Sequence, residues 1–223
     1  MKKAKCCLFF SFFIAIFFTY RGGFVSAQTS SLYAGYYYFG YTGQAPWGLY
    51  ARIYTIDPFV PIYEGHLQWD AVVLSYERWY WLQLGYNKNP PYHNRVFYWE
   101  VFDSDESTHT DLAISPAIGF WYRYTIVHAQ KADFRIWKFL IRDENVNTIF
   151  SQEVSANPYA PVDLQCFAET SISSINIDNT HFNYLSYYNG RSWPLWDRHV
   201  ARADSPYWLQ QISHYEFQAG GGG

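Results

Sequence analysis

Short runs that alternate apolar and polar side chains, cut by turn-forming residues, fill almost the whole chain. A period of two belongs to a half-buried β-strand, whose successive side chains point to opposite faces. From Gly48 to Thr55, Leu49, Ala51 and Ile53 alternate with Tyr50, Arg52 and Tyr54. After a turn at Asp57-Pro58 and Pro61, the run His66–Tyr76 sets Leu67, Trp69 and Ala71 against Gln68, Asp70 and Val72, and Tyr80–Tyr86 follows as its hairpin partner. Pro90-Pro91 marks a loop over residues 87–94, Arg95–Phe102 reads as a strand, and residues 103–107 read as a polar turn. Further strands are expected at Trp121–His128, Phe134–Asp143, Thr148–Ser155, Leu164–Ser173, His181–Tyr188 and Ser213–Gln218, with Asp143-Glu144-Asn145 as a hairpin turn. Residues 28–47 read as a loop or edge hairpin, and a helical turn is expected only near Pro206–Gln211.

About ten strands without helical crossovers predict an all-β protein, a two-sheet antiparallel sandwich in one domain spanning residues 28–219. The 22 Tyr, 18 Phe and 10 Trp in 223 residues agree, because aromatic side chains suit pleated, half-buried surfaces. They are also more than one core absorbs, so some must line a groove or the surface. The sandwich is expected to cover its convex sheet and leave the concave one open as that groove. Gly220–Gly223 reads as a flexible tail.

The first 27 residues read as an export signal. Lys2, Lys3 and Lys5 precede an apolar run from Cys6 to Phe18, too short to span a bilayer, and Val25-Ser26-Ala27 supplies the small-x-small cleavage pattern. An uncleaved anchor is the alternative. The expected location is extracellular, with no membrane span after cleavage. Losing the four bases Lys2, Lys3, Lys5 and Arg21 takes the formal charge from −3 to −7, which disfavours nucleic acid as a partner. Cys166 is then the one cysteine left, and its apolar neighbours point to a buried, inert thiol.

Several chemistries lack their residues. The sequence has no His-Glu-x-x-His, no Gly-x-Ser-x-Gly elbow and no phosphate-binding glycine loop, so no metal and no cofactor is expected. Asp103-x-Asp105 is better read as a solvated turn than as a calcium site. What stands out are two polar side chains inside aromatic, strand-forming segments: Gln83 in Tyr80-Trp81-Leu82-Gln83-Leu84-Gly85-Tyr86, and Glu169 in Phe167-Ala168-Glu169-Thr170. Were both to face one groove from neighbouring strands, a Glu169 carboxylate could activate water while the Gln83 amide held it and donated to the developing oxyanion. Trp69, Trp81, Tyr98 and Trp99 would wall that groove, with Glu100 as a supporting acid. Alternatively, Gln83 and Glu169 are merely the solvated residues of an antiparallel sheet.

The order of these segments resembles that of the glutamic peptidases, the eqolisins and the neprosin-type enzymes. Trp81-Leu82-Gln83-Leu84-Gly85 is similar to the eqolisin segment carrying the catalytic Gln. Phe97-Tyr98-Trp99-Glu100 is similar to a Trp-Tyr-Glu-Trp stretch, and Phe167-Ala168-Glu169 to the segment carrying the catalytic Glu. The chain departs from the pattern at Gly85, where Leu84 is not followed by Thr, and at Thr170, where Trp is expected. The resemblance implies a concanavalin A-like jelly roll and a secreted endopeptidase acting on polypeptide through Gln83 and Glu169. The competing reading is a non-catalytic, secreted module that binds glycan or protein, with Trp193, Trp196, Tyr207 and Trp208 as a stacking platform. A cell-envelope structural protein is a third.

Overall fold

A computed structural model describes residues 31–38, 46–61, 67–76, 80–89, 94–103, 106–129, 135–156 and 163–223. The expected export signal, the Pro90-Pro91 loop centre, Asp105 and Phe134 lie outside the described residues. The described residues form fourteen strands: β1 (Leu32–Tyr38), β2 (Gly48–Tyr54), β3 (Gln68–Tyr76), β4 (Tyr80–Lys88), β5 (Arg95–Asp103), β6 (Glu106–Asp111), β7 (Trp121–His128), β8 (Ile136–Arg142), β9 (Thr148–Ser155), β10 (Asp163–Thr170), β11 (Thr180–Tyr188), β12 (Val200–Ala203), β13 (Trp208–Ser213) and β14 (Glu216–Gly220). They form two seven-stranded antiparallel sheets in the orders β12-β1-β10-β3-β4-β5-β6 and β13-β14-β11-β2-β7-β8-β9. The fold is an all-β, two-sheet sandwich of jelly-roll type, with no helix among the described residues.

Alternation decides which side chains enter the core. Leu49, Ala51 and Ile53 of β2, Leu82, Leu84 and Tyr86 of β4, and Leu164, Cys166 and Ala168 of β10 all turn into one cluster between the sheets. Cys166 is fully buried there and unpaired, and burial pushes its thiol well up, out of reach of nucleophilic chemistry. Trp196 and Tyr207 are buried in the same cluster, whereas Trp193 and Trp208 are exposed. These four aromatic residues therefore do not share one platform.

Several segments differ from the sequence expectations, among them Ser213–Gln218, which a turn at residues 214–215 splits between β13 and β14. Residues 32–38 are a strand held between β12 and β10, and 208–213 are a strand instead of a helical turn. The expected turn at residues 103–107 is shorter, because Glu106 already begins β6. The glycine tail does not trail from the domain. Gly220 belongs to β14, the Gly221 N–H donates to Asp178 Oδ1 at 2.8 Å, and the Gly221 carbonyl accepts from Ile177 N at 3.0 Å. Among the described residues, nothing covers the outer face of the second sheet, where Tyr50, Arg52 and Arg123 are half-buried.

Candidate active site

The outer face of the first sheet is built from the odd positions of β3, β4 and β10 and the even positions of β5. The pairings align them in cross-strand rows. One runs Tyr37–Gln165–Val73–Gln83–Glu100–His109, and two residues further along lies Gly35–Phe167–Ala71–Gly85–Tyr98–Asp111. Two residues beyond that lies Tyr33–Glu169–Trp69–Asn87–Val96. The middle row sets the large Phe167 and Tyr98 on either side of the small Ala71 and Gly85. Tyr98 and Phe167 pack with Ala71 and Val73 into a small second cluster, covered by Tyr33, Trp69 and Trp81.

Above this floor opens a cavity of about 760 Å³. Gln83, Glu169, Trp69, Trp81 and Glu100 all line it, as do Tyr33 and Arg202. Tyr98 is fully buried as its floor. Trp99 is not part of it. Alternation turns Trp99 into the space between the sheets, where it stacks on Phe139 with centroids 5.7 Å apart. Gln83 and Glu169 also do not sit on neighbouring strands. β3 runs between β4 and β10, and the register sets them four residues apart along the ladder. On a flat sheet that offset is about 10 Å across and about 13 Å along, a gap that sheet twist and the reach of the two side chains have to close before one water touches both.

Tyr98 lies at the Gln83 end of this gap and feels the charge of Glu169 from the other. The Gln83 amide donates to the Tyr98 hydroxyl in a short hydrogen bond. The Tyr98 phenol is pushed well up, first by burial and then by the negative charges of Glu100 and Glu169, so it stays neutral. Glu169 is held by Ser31 and Tyr33. Burial raises its carboxyl above the ordinary glutamate value, those two hydrogen bonds pull it back, and the charge of Glu100 adds to the rise. Tyr33 is fixed in turn, since its backbone N–H donates to Asp204 Oδ2 at 3.0 Å and the Arg202 guanidinium lies 5.4 Å from its ring centroid.

The sequence reading omitted β6, and with it the partners of Glu100. The Glu100 carboxylate accepts from Ser107 Oγ at 3.1 Å, and its Oε2 lies 3.3 Å from His109 Nδ1. His109 Nε2 lies 3.0 Å from Asp111 Oδ1, which also accepts from Asn87 Nδ2 at 2.8 Å. Burial works against a charged His109, but Asp111 and Glu100 outweigh it and push the ring up to about 9. Residues 106–111 are polar at every position, so no apolar alternation marks this strand in the sequence. Among the described residues, no group of His, Cys, Asp and Glu is placed to hold a metal ion.

No protein-family profile matches the sequence, and no curated protein matches it significantly. Solved structures do. Scytalido-glutamic peptidase with a transition state analog inhibitor superposes with a TM-score of 0.64 at 10% identity, covering 85% of this chain and 98% of that one. SCP-B, a member of the Eqolisin family of peptidases in complex with the tripeptide Ala-Ile-His, superposes with a TM-score of 0.54 at 9% identity, covering the same shares. The chain has the two-sheet fold of the glutamic peptidases of eqolisin type.

Proposed function

We propose that this chain is an exported glutamic endopeptidase that cleaves extended polypeptide with a Gln83/Glu169 pair and an activated water. The observation that carries the reading is that these two residues, drawn from strands that are not neighbours, line one aromatic-walled cavity in the fold of known glutamic peptidases. Glu169 as carboxylate takes a proton from water as the oxygen attacks the scissile carbonyl, and later returns it to the leaving amine. Gln83 has two N–H donors and one carbonyl acceptor. One donor is spent on Tyr98, which leaves the other for the oxyanion and the carbonyl for the water. A donor of this kind contributes roughly 3–4 kcal/mol to the transition state. Trp69 and Trp81 give the substrate apolar walls, and Glu100 sets the local charge. Mild acid favours the reaction by helping to protonate the leaving amine, down to the pH at which Glu169 itself takes up a proton and ceases to act as base.

The test is incubation of the purified protein with an unfolded protein substrate between pH 2 and 6, beside Glu169→Gln and Gln83→Ala. The reading predicts fragments from the parent and none from either variant. A folded parent without cleavage at any pH, or cleavage that survives both substitutions, would put the binding-module reading first, and a glycan array would then follow.

A further inference from the structure

The opposite sheet carries a second groove, of about 830 Å³, on the face the peptidase reading leaves without a role. Its composition runs against the acidic balance of the chain. Arg52 of β2 pairs with Arg123 of β7, and Arg123 pairs with Arg142 of β8, so three arginines lie side by side across adjacent strands. Strands are about 4.8 Å apart, and like charges directly opposite one another destabilise a sheet. Among the described residues, Glu144 is the one carboxylate in an ion pair with this row, 3.5 Å from Arg52 and itself half exposed. All three arginines keep a buried Nε with no hydrogen-bond partner. Arg123 Nη2 donates to the Glu144 carbonyl at 3.2 Å, and among the described residues the row still holds more donors than acceptors that reach it. All three charges bear on the Tyr50 phenol, opposing the rise that burial causes.

The walls of the groove are aromatic. Trp193, 39% exposed, stacks on Tyr188 with centroids 5.1 Å apart and meets Tyr50 edge-on at 6.3 Å. Tyr184 sits where the β11–β2 register shifts, at φ 54°, a conformation costly for a residue with a Cβ. That bulge turns Tyr184 to the outer face, 49% exposed, over the Arg52 guanidinium at 5.4 Å. Trp121 holds the same guanidinium at 5.0 Å. A strained residue spent on presenting a ring to solvent, beside a row of three guanidinium groups with one carboxylate among them, describes a surface made for a ligand with both planar faces and negative charge.

We propose that this groove binds an acidic polysaccharide, its sugar rings against Trp193 and Tyr184 and its carboxylates on Arg123 and Arg142. Guanidinium forks match the two oxygens of a carboxylate, and exposed aromatic rings offer flat apolar faces to pyranose rings. The site is separate from the Gln83/Glu169 cavity, so the two readings stand or fall independently.

The experiment is calorimetric titration of the full protein with polygalacturonate, with neutral dextran, dextran sulfate and poly-glutamate in parallel. Polygalacturonate should bind and dextran should not, and added salt should weaken binding because the charges are near the surface. The double variant Arg123→Gln/Arg142→Gln should lose about tenfold or more in affinity, and so should Trp193→Ala. No binding of polygalacturonate, binding that survives the arginine substitutions, equal binding of poly-glutamate, or binding of dextran sulfate alone would overturn the assignment. Circular dichroism of each variant distinguishes loss of the site from loss of the fold.

Discussion

His109 lies flat against Tyr98, ring centroids 5.1 Å apart and planes 25° from parallel, so one buried phenol joins the β6 acid–imidazole network to the Gln83 amide. The hydroxyl of Tyr98 thereby fixes which end of the amide faces the cavity. Tyr98→Phe should keep the fold, because the ring still fills the floor, while freeing the amide to turn. A hydrogen bond of this kind is worth about 1–3 kcal/mol when its loss leaves a buried group unpaired. The expected result is a fall in kcat of roughly tenfold to a hundredfold with little change in KM. An unchanged kcat in a folded Tyr98→Phe protein would mean that the tyrosine does not position Gln83.

The pH profile follows from the surroundings of Glu169. A general base works only when ionised, and burial lifts this carboxyl above the ordinary glutamate value with help from Glu100. The acid limb of kcat/KM should therefore lie above the ordinary glutamate pKa of about 4.3. Glu100→Gln removes the neighbouring negative charge, so the limb should move to lower pH. A limb that moves upward, or stays in place, would show that Glu100 does not act on Glu169 through its charge.

Asp70 predicts how the fold itself responds to pH. It points from β3 into the core, where the Tyr86 hydroxyl donates to Oδ2 and Oδ1 has no partner. Burial pushes its carboxyl up to about 7, while the hydrogen bond from Tyr86 holds it back. A raised carboxyl binds its proton more tightly in the folded protein than in the unfolded chain. Its contribution is therefore fully present below about pH 3.8 and is lost as pH rises through about 7. Across that window the loss is on the order of 4 kcal/mol. Denaturant unfolding at pH 4 and pH 7.5 should show the parent weaker at the higher pH, and Asp70→Asn should flatten the difference. A variant with the same pH dependence as the parent would place the titration on another group.

Much of this arrangement was legible in the sequence, and the parts that were not share a physical cause. Central strands such as β2, β4 and β7 bury one face, so apolar and polar side chains must alternate. Strands β6, β12 and β13 lie at sheet edges, with exposed or half-exposed side chains throughout. Nothing obliges an edge strand to alternate, and polar edges resist aggregation. The face of Gln83 and of Glu169 followed from the period of two. Their separation did not, because the insertion of β10 beside β3 is a long-range pairing with no local signal. Trp99 was misplaced for the opposite reason, since adjacent residues of a strand cannot both enter one groove.

Gly85 is where the chain departs from the eqolisin-like segment, and the structure gives the departure a reason. It pairs with Ala71 on one side and Tyr98 on the other, in the row that floors the cavity. A Cβ added there would clash with the Asp70 carbonyl oxygen and come within 3.0 Å of the Ala71 Cα, both on the neighbouring backbone of β3. Backbone held in a ladder cannot step aside as a flexible side chain does. Gly85→Ala should therefore push β3 from β4 and cost about 1–3 kcal/mol or more in thermal or denaturant unfolding. The displacement falls between Trp69 and Gln83, so activity should drop further than stability alone explains, measured at a temperature where the variant is still folded. Wild-type stability with wild-type turnover in Gly85→Ala would mean that the β3–β4 spacing is loose at this row, and that close strand approach under Tyr98 does not set the geometry of the site.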